Sequence, residues 1–308
     1  MNVFSEKQIL VVGGTGFIGQ HLVARLIALQ AELTVISYEE RFNEPQLNTK
    51  QVQLDISDKK DLSEKLQQKS FDYVFNLSGY IDHKLYSKGG RALVDVHYIG
   101  LLNLLDHLDW ILLKAFVQVG SSDEYGTLPA PQIETLREAP ISPYSAAKVA
   151  ATQLIQMLSR SEAFPGIVLR FFLVYGPGQE GKRILPQIIK ACLKNESFPA
   201  SKGDQLRDFC YVDDVIDALL IAASTEAAKG ELFNIASGEP VKIRSVIENI
   251  QAFTKGGQAE WGAIPYRPGE NMALYADISK AKKILNWKPK FSLEEGLKKT
   301  IVSYQEIL

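Results

Sequence analysis

Tyr144 and Lys148 stand four residues apart, downstream of a Ser121-Ser122 pair that closes an apolar run. On a helix that spacing puts both side chains on one face. Ser142-Pro143 reads as N-cap and first helical residue, so Tyr144 falls in the first turn. A phenol beside an ammonium can move a proton, and a serine hydroxyl can hydrogen-bond a reacting carbonyl or carbinol oxygen. A free phenol has a pKa of about 10, so acting near neutrality costs about 4 kcal/mol. Lys148, with a positively charged cofactor ring, is expected to supply this by favouring phenolate. Tyr80 and Lys84 repeat the spacing. They follow Gly79, without a helix start or a serine pair, and read as loop lining the pocket.

The second chemical signal is Gly13-Gly14-Thr15-Gly16-Phe17-Ile18-Gly19, directly after an apolar run at 9–12. Gly13, Gly16 and Gly19 leave the strand, let backbone approach phosphate and let a helix pack closely. The helix from Phe17 and Ile18 then points its N–H groups at a pyrophosphate. Leu77-Ser78-Gly79 and Asp55-Ile56 end two further runs and are candidates for the cofactor, the latter pair at adenine; otherwise Asp55 caps the next helix. The second run ends at Ser37, where an acidic residue would hold both ribose hydroxyls of NAD. With Arg41 four residues on, NADP(H) is expected over NAD(H), although Glu39 and Glu40 flank the site.

To position these groups, strand-like runs at 9–12, 33–37, 51–54, 73–75, 115–119 and 167–172 alternate with helical patterns at 17–29, 58–68, 91–108 and 143–160. Such alternation predicts βαβ units and an α/β, doubly wound parallel Rossmann sheet. Beyond residue 172 turns recur between short helices at 184–194, 212–224, 243–253 and 279–285. The expected division is a cofactor-binding domain of residues 1–172 with about 209–236, and a smaller α/β substrate-binding domain of 173–208 and 237–308.

With 308 residues and 46% hydrophobic content, the chain suits one or two domains. A net charge of −2 gives no argument for nucleic acid or an anionic membrane. Cys192 and Cys210 are too few for a disulfide framework and are expected to pack as small apolar residues. No apolar run is long enough to span a bilayer, so a cytoplasmic protein is expected. No metal-ligand pattern is apparent.

Taken together, these motifs resemble the extended short-chain dehydrogenase/reductase family, the NAD(P)-dependent epimerases, dehydratases and ketoreductases of nucleotide sugars. The resemblance also includes Ser121-Ser122-Asp123-Glu124-Tyr125-Gly126, the stretch from Arg170 to Gly178, the stretch from Arg207 to Val215, Phe233-Asn234-Ile235-Ala236-Ser237-Gly238 and Arg267-Pro268-Gly269-Glu270. It implies that Tyr144 is the acid/base, that Lys148 tunes it and holds the nicotinamide ribose, and that Ser121 orients the substrate oxygen. It implies that Arg207 and Arg267 lie near the diphosphate and nucleoside of the substrate, with Ser122 and Lys84 as further substrate contacts. Arginine forks match phosphate oxygens. Lys182 and Arg183 are weaker candidates. Two positions depart from the family: Leu173 and His97 stand where relatives commonly carry asparagine. His97 and His107 are read as packed or surface residues.

Three reactions share this scaffold. Aligned back from Tyr125-Gly126, Ser121 takes the hydroxyl position of a 4,6-dehydratase and Asp123 its acid position. With a one-residue gap, Ser122-Asp123-Glu124 mimics the dehydratase triplet instead. A 4-epimerase usually favours NAD. A ketoreductase needs only Ser121, Tyr144, Lys148 and exchangeable reduced cofactor. Reduction of a nucleotide-linked 4-keto-6-deoxy sugar is the leading expectation, with 4-epimerase and dehydratase as alternatives. A cofactor-binding sensor or scaffold is the non-enzyme alternative. The family's pairing of the helices at 91–108 and 143–160 implies a homodimer.

Overall fold

The computed structural model describes residues 2–39, 49–66, 70–266 and 270–306. β1 (Gln8–Val12), α1 (Phe17–Ala28), β2 (Glu32–Ser37), β3 (Thr49–Gln53), α2 (Lys59–Leu66) and β4 (Tyr73–Asn76) form the first half of a sheet. β5 (Ala115–Ser121), α5 (Pro143–Glu162), β6 (Gly166–Phe171) and β10 (Leu232–Ile235) extend it, α5 being preceded by α3 (Arg91–Val94) and α4 (Gly100–Asp106). Its order is β10-β6-β5-β4-β1-β2-β3, and every pair is parallel. This is the doubly wound arrangement the alternating pattern predicts. Alternation along β1 explains it locally. Ile9 and Val11 join Leu22 and Leu26 of α1 on one face, while Leu10 and Val12 pack with Leu62, Leu101 and Ile155 on the other. A sheet buried on both faces must have helices on both.

The expected helix at 91–108 is interrupted. Asp95–Ile99 forms a π-helical turn between α3 and α4. Gly100, just beyond it, lies so close to Ile56 that a Cβ would meet Ile56 Cδ1 at 2.7 Å. The widened turn leaves His97 buried against Tyr144, with ring centroids 5.1 Å apart. A period-based reading cannot register one extra residue in a turn.

A second sheet was not legible in the sequence. It consists of β7 (Leu173–Tyr175), β9 (Leu206–Tyr211), β11 (Pro240–Lys242) and β13 (Ala273–Leu274), centred on β9. A short parallel pair joins β8 (Ser197–Ala200) to β12 (Gln258–Trp261). The helices α6 (Ile184–Leu193), α7 (Val212–Ser224) and α8 (Ile243–Thr254) match the expected patterns closely, and α9 (Leu293–Gln305) is additional. These strands have two to six residues, too short for a period of two to stand out. No helix among the described residues is long and apolar enough to cross a membrane.

Candidate active site

Backbone geometry at the carboxyl end of β1 leaves room for little but glycine. Gly13 has φ +79°, and a Cβ there would meet the Leu77 carbonyl oxygen at 2.7 Å. A Cβ on Gly19 would lie 2.2 Å from the Gly13 oxygen, whereas Gly16 has only that oxygen near, at 3.3 Å. α1 starts at Phe17 with Gly16 as N-cap and no side-chain cap, which leaves its first N–H groups for a ligand. Leu77, Ser78 and Gly79 close the cradle from β4, with Ser78 Oγ donating to Asn76 Oδ1 at 2.6 Å. Sheet order places this loop where β1 meets β4, the switch point at which open α/β sheets bind ligands. A dinucleotide pyrophosphate fits the cradle.

Further along this edge a pocket of about 550 Å³ is lined by Tyr38, Glu39, Gln53, Leu54, Asp55, Asp61 and Lys65. Ser37, at the end of β2, is buried beside it. Asp55 does not cap α2. Its Oδ1 accepts from Ser57 N and Oγ at 2.9 and 2.7 Å, and Asp58 caps the helix by accepting from Lys60 and Asp61 N–H groups. The cap falls to Asp58 because it directly precedes the first turn. Ile56 is buried beneath Gly100. Arg41 lies outside the described residues.

The catalytic candidates meet on the other side of the cradle. Ser142 caps α5, its Oγ accepting from Ser145 N at 3.1 Å, and Pro143 occupies the first turn, so Tyr144 and Lys148 face inward and are buried. β5 delivers Ser121, which caps a 3-10 turn over Ser122–Tyr125; its Oγ accepts from Asp123 N at 3.2 Å. The Ser121 side chain lies near enough to the Tyr144 phenol to act on its ionisation. Lys148 Nζ donates to the Val119 carbonyl at 2.9 Å and lies 6.0 Å from the Tyr144 ring centroid. Ser122 is buried beside them.

Burial pushes the Tyr144 phenol well above its ordinary value, opposed by the nearby Ser121 hydroxyl, while the charges of Asp123 and Glu124 add to the rise and Arg183 acts against it. Lys148 itself is pushed down to about 8 by burial, with Glu124 acting against the fall. Any lowering of the phenol by Lys148 together with a positive ring has to work against this burial. His97 is neutral, held down to about 3 by burial and the Lys148 charge. Its Nε2 contacts the Tyr80 carbonyl at 2.9 Å, and its Nδ1 is buried without a partner. Gly79, at φ +95°, has no room for a side chain, since a Cβ would lie 2.0 Å from His97 Cε1.

Glu124 is not a base facing this site. Its side chain is fully buried, accepting from Ser121 N, Thr152 Oγ1 and Arg170 Nε at 2.8 Å each. Arg170 also pairs with Glu138. In the gapped reading of Ser122-Asp123-Glu124 the glutamate is thus turned into a buried network, and Asp123 is the partly exposed carboxylate. Asp123 Oδ2 meets His83 Nε2 at 2.8 Å, and the His83 ring stands over Tyr144. Sequence reasoning left His83 inside a loop; a histidine in a loop gives no periodic signal. The buried Glu124–Arg170 pair had one, a lone arginine within an apolar strand.

The remaining candidates are spread around the cleft. Arg207 lies on β9, its guanidinium paired with Glu270. Lys84 is exposed and paired with Asp82 at 2.9 Å. Arg183 starts α6, near enough for its charge to act on Tyr144. Arg267 lies outside the described residues. Cys192 and Cys210 are buried, unpaired thiols within the core.

Residues 9–236 match a family described as the NAD dependent epimerase/dehydratase family. A UDP-glucuronate 4-epimerase of Thermodesulfobacterium geofontis is 30% identical over 82% of this chain and 79% of its own length. The dTDP-glucose 4,6-dehydratase 1 of Escherichia coli is 28% identical over 96% and 92%. The UDP-glucuronic acid 4-epimerase of Bacillus cereus, solved in complex with UDP-glucuronic acid and NAD, superposes with a TM-score of 0.85 at 26% identity, covering 98% of this chain and 100% of that one.

Proposed function

This chain belongs to the NAD-dependent epimerase/dehydratase family, enzymes of nucleotide sugars that use a nicotinamide cofactor, and from that premise we propose that it epimerises a nucleotide-diphosphate sugar at C4. The observation that carries the reading is the convergence of Ser121, Tyr144 and Lys148 beside the glycine cradle. Ser121 and Tyr144 hold the C4 oxygen between two hydroxyls, and Tyr144 takes its proton as the carbinol becomes a ketone. A nicotinamide bound at the cradle would accept the C4 hydride and then give it back. Tyr144 returns the proton when hydride is delivered to the opposite face of the sugar. Lys148, fixed by the Val119 carbonyl, holds positive charge under the phenol. Arg207 and Arg183 are the cations we assign to the substrate diphosphate, at the cleft between the two sheets.

NAD(H) is the cofactor we assign, in place of the NADP(H) that Ser37 and Arg41 led us to expect. The adenosine pocket presents Glu39, Asp55 and Asp61, and its Lys65 is already paired with Asp61 at 2.7 Å. Among the described residues a 2′-phosphate entering there would meet net negative charge. A second reading, reduction of a 4-keto-6-deoxy nucleotide sugar, is favoured by Ser37 itself. Without a carboxylate at that strand end the ribose is held less firmly, which suits an exchangeable cofactor. Incubation with UDP-glucose or UDP-glucuronate and NAD tests the first reading: epimerised sugar with no net change in nicotinamide absorbance is expected. Stoichiometric loss of NADH against a 4-keto-6-deoxy nucleotide sugar, without epimerisation, would replace it with the second.

A further inference from the structure

Arg207 belongs to the smaller sheet, and the turn that carries Ser121 belongs to the large one. One strap touches both. It begins at Glu270, whose carboxylate pairs with the Arg207 guanidinium. The next residue, Asn271, donates from Nδ2 to the Gly126 carbonyl at 3.0 Å, while its Oδ1 accepts from Ala273 N at 3.0 Å. β13 then lies along β9, with Leu274 opposite Arg207. Further on, the Tyr275 carbonyl accepts from Gln132 N at 2.9 Å, and Asp277 N donates to the Gln132 carbonyl at 2.9 Å. Gln132 is fully buried, so that end of the strap is anchored independently of Asn271.

Gly126 closes the Ser121 turn. Its N–H donates to the Asp123 carbonyl at 3.1 Å, and the Asp123 N–H donates in turn to Ser121 Oγ at 3.2 Å. At φ +58° a side chain on Gly126 would strike the Ala139 carbonyl, so the end of the turn is confined between Ala139 and Asn271. A diphosphate reaching Arg207 competes with the Glu270 carboxylate for the same guanidinium, because two anions there repel each other. Any shift of Glu270 is passed to Asn271, its neighbour in the chain.

We propose that Asn271 is a positioning residue that couples diphosphate binding at Arg207 to the setting of the Ser121 turn. The proposal rests on the reading of Arg207 as a contact of the substrate diphosphate. Coupling between sites runs through hydrogen-bonded neighbours, and here the chain is Arg207, Glu270, Asn271, Gly126 and the turn. Binding at the nucleotide end thereby helps to set the hydroxyl that meets the sugar.

The test uses the full chain with NAD and UDP, which carries no sugar, so turnover is not involved. Hydrogen–deuterium exchange of residues 121–128 is followed by mass spectrometry, because the Asp123, Gly126 and Leu128 N–H groups are bonded within the turn. UDP is expected to slow that exchange roughly fivefold, the scale of one hydrogen bond. Asn271→Asp keeps the acceptor for Ala273 N and loses the donor to Gly126. At saturating UDP its exchange should slow less than about twofold, with UDP affinity kept within roughly tenfold of the natural chain. Asn271→Ala should behave alike, which excludes the added charge as the cause. In epimerisation assays both variants should lose kcat roughly tenfold with KM nearly unchanged. Equal slowing in the natural chain and both variants overturns the coupling, as does UDP bound to the natural chain without any slowing. Failure of both UDP and dTDP to bind removes the diphosphate assignment, and the coupling with it.

Discussion

Tyr144 sits in a setting that raises its pKa, and the reaction needs the opposite. That makes the hydroxyl's function separable from its packing. Tyr144→Phe keeps the buried ring and should lower turnover by roughly 10²- to 10⁴-fold, with cofactor affinity by fluorescence titration unchanged within a few fold. Retained turnover would remove the phenol from the scheme. His97 makes a prediction about stability. Its folded pKa of about 3 lies below the ordinary histidine value, so the unfolded chain binds the extra proton. Stability therefore falls as pH drops from about 6.5 towards 3, by roughly 1.4 kcal/mol per pH unit for this residue alone. His97→Asn should flatten that part of the urea-midpoint profile, and an unchanged slope would show that the ring is not buried neutral. Spacing and neighbours pointed to Tyr144 and Lys148 because a helix converts a separation of four into one face. His83 gave no such signal. Its place beside Asp123 depends on how a loop between β4 and α3 crosses a turn 40 residues away.

At the level of elements, β5, β6 and α5 are joined by one buried charge network. Glu124 follows β5, Arg170 stands in β6, Thr152 comes from α5, and Glu138 lies on the connection before α5. Glu124 also receives the Ser121 N–H, so the network positions the hydroxyl we propose as catalytic. Arg170→Met would leave Glu124 buried without its cation, and a loss of about 3–5 kcal/mol is expected from denaturant unfolding. A loss under 1 kcal/mol would mean that Glu124 finds water or a proton instead. Six strands of the large sheet were legible as short bounded runs and its helices by their stripes, whereas β10, reached only after the smaller sheet begins, was not read as a strand. The π-helical turn at Asp95–Ile99 was not, since it alters a single turn within a continuous helical pattern. The Asp55 alternative failed for a similar reason: the choice between Asp55 and Asp58 as helix cap is made by backbone geometry three residues wide.

The molecule as a whole combines the seven-stranded sheet with the smaller one, and the candidate cations Arg183 and Arg207 come from the part that follows β6. We propose that it works as a homodimer through the helices before and including α5, where Met157 is exposed. Light scattering should give twice the 34.3 kDa chain mass at micromolar concentration, and a single-chain mass there would end that assignment. By itself the sequence determined the parallel sheet, the glycine cradle and the pairing of a tyrosine with a lysine. These follow from local periodicity and from residues that only one backbone shape accommodates. The tertiary structure alone decided which carboxylate faces the cleft and which is buried, where His83 stands, and that burial raises the Tyr144 phenol. Each of those depends on what surrounds a side chain in space, and burial and field are sums over neighbours that chain order does not specify.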